Sequence, residues 1–338
     1  MESVWKAIKP PIMNGSTTSD DVNIILITAG SFIITLYLVG MLLNCIGFYL
    51  VYKSGHQLQT NQRLYLMNFI TAEILMCTSQ IWYVIGHILQ HRSVQIYAGL
   101  VQCSLAISWC ICMIFLTVDR FLEVKLNIAY HVYITPAKVV AANSFVWLLA
   151  LSNITWMVSV EAFTDVNVIG IVLSFIFPAF EGLFLVICST VYVYIFRRVK
   201  KKQKEARELN KVVSSSQKQQ LSTLERKTQQ RKKRETKARN FVPLYIILTF
   251  LVFSSIPELI AAVFLKGLQW TGIRRSYVMF VATALFATGY IVDALIYMTM
   301  YRGLRKMLVK KLRNRISTQS KTGEMSLAAT MRASVYWS

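Results

Sequence analysis

Four carboxylic acids, Glu73, Glu181, Glu258 and Asp293, lie inside long apolar runs of the sequence. An acid in such surroundings is costly to keep and marks function by default. Two carboxyl groups brought together there either share a proton or hold a cation, which makes Glu73 and Asp293 a candidate proton or cation site. Glu258, next to Pro257, has two roles open to it: pairing with a cationic ligand, or satisfying a neighbouring polar side chain. A second kind of chemistry is conformational. Asp119-Arg120 closes an apolar run, and an arginine at such a boundary is either a snorkelling anchor or a buried charge held by its neighbour. In the second case its release is a switch. Pro257 removes a backbone hydrogen bond and sets a kink, either static or a hinge. Nothing assembles a catalytic constellation. There is no HExxH pattern, and His56, His87, His91 and His131 lie at loops or boundaries. All six cysteines fall in apolar runs with no CxxC among them, so they read as packing residues rather than metal ligands. The chain is not expected to be an enzyme or to carry a protein metal centre.

The elements that position these residues follow from apolar length. The 338 residues are 55% hydrophobic and 16% charged, with a mean hydropathy of +0.47, whereas a soluble domain carries about 25% charge. Seven segments, about 24–52, 63–87, 96–120, 138–160, 167–196, 240–265 and 276–300, reach the roughly 20 residues a helix needs to cross a bilayer. They are too long for barrel strands. The sequence therefore predicts an all-α integral membrane protein, a seven-transmembrane-helix bundle. Of the 37 Lys and Arg, 31 fall on one side of this topology and six on the other. By the positive-inside rule the richer side is cytoplasmic, placing the N-terminus outside and the C-terminus inside. The Asn14-Gly15-Ser16 glycosylation sequon lies on the outer side. A second triplet, Asn153-Ile154-Thr155, falls within a span and reads as chance.

The division is thus an extracellular segment 1–23, a transmembrane domain 24–300 and a cytoplasmic region 301–338. No cleavable signal precedes the first span, which serves as the targeting signal. The net charge of +21 loses any nucleic-acid meaning, because its basic runs flank membrane ends and attract anionic lipid headgroups. The long basic loop 197–240 reads as helical extensions of the fifth and sixth spans around a disordered centre near Ser214-Ser215-Ser216. Tyr301–Asn314 interleaves Leu304, Met307, Leu308 and Leu312 with basic residues, a short amphipathic cytoplasmic helix on the membrane surface. The tail beyond it holds Ser317, Thr318, Ser320, Thr322, Ser326, Thr330 and Ser334, side chains of the type that accepts phosphate.

Motifs recur once per span, in order. Asp119-Arg120-Phe121-Leu122-Glu123-Val124, followed by Tyr130, resembles the Asp-Arg-Tyr motif of rhodopsin-like (class A) G-protein-coupled receptors and the tyrosine of their second cytoplasmic loop. Leu43-Asn44, Asn68-Phe69-Ile70-Thr71-Ala72-Glu73, Trp147, Phe175-x-x-Pro178, Pro257, Asp293-Ala294-Leu295-Ile296-Tyr297 and Leu304-Arg305 match the remaining family positions. The resemblance implies a receptor at the plasma membrane that passes an extracellular ligand signal to heterotrimeric G proteins by outward tilt of the sixth helix about Pro257. It implies a ligand site near Gln102, Cys103, Glu258 and Ala287, and an activation switch of Asp119, Arg120, Tyr130, Pro257, Asp293 and Tyr297. It also implies a sodium ion between Glu73 and Asp293, and arrestin as a partner of the Ser/Thr-rich tail.

The departures place the chain on a divergent branch. Gln95 stands where the family has a disulfide cysteine, Ser254-Ser255 replaces Cys-Trp before the proline, and Val186 replaces a tyrosine of the fifth span. Trp109 stands at a supporting serine of the ion site and leaves less room for a hydrated ion. Lys237 stands at a glutamate that locks the arginine in some members, so a lock at that place is excluded by sign. Ala287 occupies the retinal lysine position and Gln102 the aminergic aspartate position, which supports neither an opsin, with its retinal cofactor, nor a monoamine receptor. The rival from another class is a small proton- or cation-coupled transporter or channel using the four intramembrane acids. Transporters commonly show repeated halves and broken helices, and the sequence shows neither.

Overall fold

The computed structural model describes residues 19–53, 60–126, 129–163, 177–213, 244–262, 272–300 and 309. Among these there are helices and no strands. We label the main helices α1 (Ser19–Lys53), α2 (Thr60–Ile88), α3 (Arg92–Leu126), α4 (Pro136–Phe163), α5 (Phe177–Val213), α6 (Leu244–Ser255, continued by Ile256–Ala262) and α7 (Gly272–Met300). A single turn, Tyr130–Tyr133, lies between α3 and α4. Six helices are long and apolar enough to cross a membrane, and the apolar part of α6 is shorter. Several outrun the apolar segments read from sequence, since backbone hydrogen bonding continues past the hydrocarbon. α5, with its basic outer turns, runs to Val213.

α3 packs against α2, α4 and α5, while α7 returns to α1, α2 and α6. Burial follows that arrangement: 61% of the most apolar stretch is buried in α2 and in α3, against 17% in α4. α4 accordingly presents Phe145, Leu148, Leu151 and Trp156 outward, a patch too large for water but suited to lipid. Lipid tails are as apolar as leucine, so close packing and interhelical hydrogen bonds hold such a bundle, the latter worth about 0.6–2 kcal/mol each. Trp147 Nε1 donates to Asn68 Oδ1 at 2.5 Å and Asn68 Nδ2 to Cys112 Sγ at 3.0 Å, knotting α4, α2 and α3 together. All six cysteines are free. At Gln95, where the resemblance expects a disulfide, the side-chain amide donates to the Gly86 carbonyl at 3.0 Å and ties the start of α3 to the end of α2. Asn14, Lys237, the centre of the 197–240 loop, the surface helix and the Ser/Thr tail lie outside the described residues, Val309 excepted.

Candidate functional site

At the basic end of α3, Arg120 is fully buried. Its guanidinium pairs with the neighbouring Asp119 carboxylate through Nη2 and with Glu123 Oε2 through Nη1 at 2.5 Å, one turn on. A buried charge needs partners of this kind, because removing one leaves the other uncompensated. The other oxygen of Asp119 accepts from the Tyr130 hydroxyl. Asn61 of α2 supports that tyrosine, donating to its hydroxyl at 3.4 Å and to the Ile134 carbonyl at 2.8 Å. Burial, with the Asp119 carboxylate beside it, pushes the Tyr130 phenol above the usual tyrosine range and keeps it a donor. The sequence pointed to Asp119, Arg120 and Tyr130. It missed the pairing of Glu123 with Arg120, whose i,i+3 spacing was the available signal, and the contact of Asn61 with Tyr130, for which no local signal exists.

A second polar cluster lies mid-bundle. Glu73 of α2 and Asp293 of α7 adjoin, with the Trp109 indole beside Glu73 and Thr249 beside Asp293. Neither Glu73 oxygen, nor Asp293 Oδ1, nor Trp109 Nε1 has a hydrogen-bond partner among the described residues. Next to them is a cavity of about 30 Å³, its lining including Trp109, Phe250, Ser254, Gly289, Tyr290 and Asp293. That volume suits a water molecule or a bare ion. One helical turn from Asp293, the Tyr297 hydroxyl donates to Asn44 Oδ1, while Asn44 Nδ2 donates to the Gly40 carbonyl at 3.0 Å. A Cβ at Gly47 would stand 2.4 Å from the Tyr297 ring, so only glycine there lets the tyrosine lie against α1.

The sixth helix carries its irregularity one turn before the proline: Leu251–Ser255 is a π-helical turn, closed by the Ile256 N–H donating to the Leu251 carbonyl. Proline has no N–H to give and its ring crowds the carbonyl four residues back, and the wider turn takes up both effects. Gly289 of α7 lies against it, a Cβ there falling 3.2 Å from Phe253 Cβ. Ser255 donates to Glu181 Oε1, joining α6 to α5 at this turn. Aromatic contacts to α6 come from α3 and α5, with Trp109 on Phe250 at 4.7 Å and Phe184 edge-on to it at 5.6 Å between ring centroids. Reading the sixth span alone gave no hint of those rings.

Of the outer residues named for ligand, Cys103 packs with Leu100, Ile107 and Met157 between α3 and α4. Ala287 packs in a different cluster, with Tyr37, Met76 and Tyr290. Gln102 is buried in α3. Glu258 belongs to α6, and its side chain lies outside the described residues. The side chains that come together are those of the inner and middle clusters.

Apolar helices of membrane length around buried, paired charges define a polytopic helical membrane bundle. No family model matches the chain, and no curated protein does. Among solved structures it is similar to the crystal structure of squid rhodopsin, with a TM-score of 0.67 over 92% of each chain at 14% identity. The chain has the rhodopsin-like receptor fold.

Proposed function

We propose that this protein is a G-protein-coupled receptor of rhodopsin-like type. The observation that carries the reading is Arg120, wholly buried at the end of the central helix and paired with Asp119 and Glu123, while Tyr130 donates to Asp119. A charge kept there at such expense, with both of its carboxylate partners on its own helix, suits a group that is set free. On this reading residues 1–23 are extracellular and 301–338 cytoplasmic, at the plasma membrane. Ligand binding in the outer half favours a minor state by its differential affinity for the two. The π turn before Pro257 is the place where α6 yields, and Arg120 and Tyr297 line the crevice that opens. A heterotrimeric G protein docks there, and phosphorylated tail serines and threonines recruit arrestin. Glu73 and Asp293 supply hard oxygens for one small cation or a shared proton, and the Trp109 indole at that pair favours the smaller occupant.

The test is guanine-nucleotide exchange by the full chain in lipid nanodiscs, against a broad panel of heterotrimeric G proteins and a ligand library. Exchange that Arg120→Ala alters supports the reading. Silence across the whole panel with every ligand class sinks it. The Glu73–Asp293 pair beside a cavity also favours a second reading, a proton- or cation-coupled transporter. Proton flux into proteoliposomes that Glu73→Gln abolishes would decide for that one.

A further inference from the structure

At the basic end of the bundle, Phe121 of α3 and Tyr194 of α5 meet with ring centroids 5.1 Å apart. Each side chain engages a cation from one turn further along its own helix, Phe121 through its ring and Tyr194 through its hydroxyl. Lys125 Nζ lies 5.6 Å from the Phe121 centroid, within cation–π range, and Arg198 Nη1 donates to the Tyr194 hydroxyl at 3.4 Å. Both cations are exposed, as is Tyr194. Among the described residues no carboxylate comes within salt-bridge range of either, because Glu123, on the same stretch of α3, is engaged with Arg120. Two like charges gathered about one ring pair repel each other, and an anion bound there relieves that repulsion. Their depth narrows what that anion is. Both sit in the last turns of the spans Arg92–Leu126 and Ala179–Lys201, at the level where aromatic and basic residues meet headgroups. Further into the span, α5 exposes Val193 and then Val186, an apolar face for acyl chains.

We propose that Lys125, over the Phe121 ring, and Arg198, on the Tyr194 hydroxyl, form a binding site for the phosphate of an anionic membrane lipid. A phosphomonoester fits best: its two negative charges match the two cations, and guanidinium binds phosphate oxygens through paired donors. The site requires the bundle to span a membrane but does not require G-protein coupling. Its test therefore reads binding, so failure of the receptor reading and failure of the lipid site are separable.

Dioleoyl phosphatidic acid is titrated into the detergent-solubilised full chain, and retained lipid is counted by native mass spectrometry. The variant Lys125→Gln/Arg198→Gln is compared with a charge-matched control, Lys53→Gln/Lys204→Gln. Lys53 lies over the Tyr49 ring of its own helix at 5.8 Å, and Lys204 faces Glu208 at 3.9 Å. A general surface field weakens with every lost charge wherever it sits. The site instead predicts that the first variant loses tightly held lipid by about tenfold while the control changes by less than about twofold. Tyr194→Leu, with all charges kept, weakens binding as well, and Lys125→Arg/Arg198→Lys retains it. The substituted cations are exposed, so helical circular dichroism stays unchanged. Equal losses in the two double variants overturn the proposal in favour of the diffuse field. Displacement of the lipid by inorganic phosphate at the same concentration overturns it in favour of a soluble anion.

Discussion

Arg120 is a single side chain whose surroundings decide its meaning. Its two carboxylate partners are unequal in position. Asp119 is adjacent in sequence and also holds Tyr130, whereas Glu123 reaches back over one helical turn and touches the guanidinium at 2.5 Å. Glu123→Gln removes the charge of one partner and leaves the rest of the network standing. A hydrogen bond to a charged group is worth about 1.5–3 kcal/mol, and the thermal midpoint of the purified chain falls by an amount in keeping with that. Arg120→Ala strands Asp119 in a buried place and is more damaging, by about 3–5 kcal/mol. On the receptor reading the milder variant also raises ligand-independent nucleotide exchange. A Glu123→Gln chain that melted like the wild type would remove this residue from the lock.

Among the elements, α6 and α7 carry the irregularities. α6 accommodates Pro257 through the π turn Leu251–Ser255, so its deformation is spread over a turn. α7 approaches that turn at Gly289 and approaches α1 at Gly47. Gly47→Ala places a methyl group where the Tyr297 ring now lies, 2.4 Å from its nearest atom. Overpacking of this kind destabilises by about 1–3 kcal/mol, and here it also displaces the Tyr297 hydroxyl from Asn44. The expected outcome is a lower thermal midpoint for Gly47→Ala that adding Tyr297→Phe worsens little, since both variants lose the same hydrogen bond. Fully additive losses would show that the two residues act separately.

For the whole molecule, what positions every site is topology. On the orientation proposed from the charge asymmetry, residues 1–23 lie outside, and the expected outcome is that Asn14 carries glycan in a eukaryotic membrane while Asn153, half-buried in α4, carries none. Endoglycosidase treatment shifts the mass of the wild type and leaves Asn14→Gln unchanged. A glycan that survives Asn14→Gln would overturn the orientation or the division into spans. On the same proposed orientation, the Arg120 network, the Lys125–Arg198 pair and the extended end of α5 all share the cytoplasmic face.

Apolar length and charge placement made the helical membrane character legible from sequence alone, because only hydrogen-bonded helices satisfy their backbone in lipid. They also located Arg120 with Asp119, because a boundary charge and its adjacent partner are read locally. The acids Glu73 and Asp293 were legible as costly residues, but their meeting was inferred through the family resemblance and is a tertiary fact. The tertiary structure alone decided the contacts between residues far apart in the chain: Asn61 on Tyr130, Trp109 on Phe250, Ser255 on Glu181, and Phe121 on Tyr194. No period or spacing encodes which faces of two helices meet, since that depends on how small and large residues interlock across the bundle. The same holds for the π turn. A proline announces that a helix must adjust, and only the packing around it selects how.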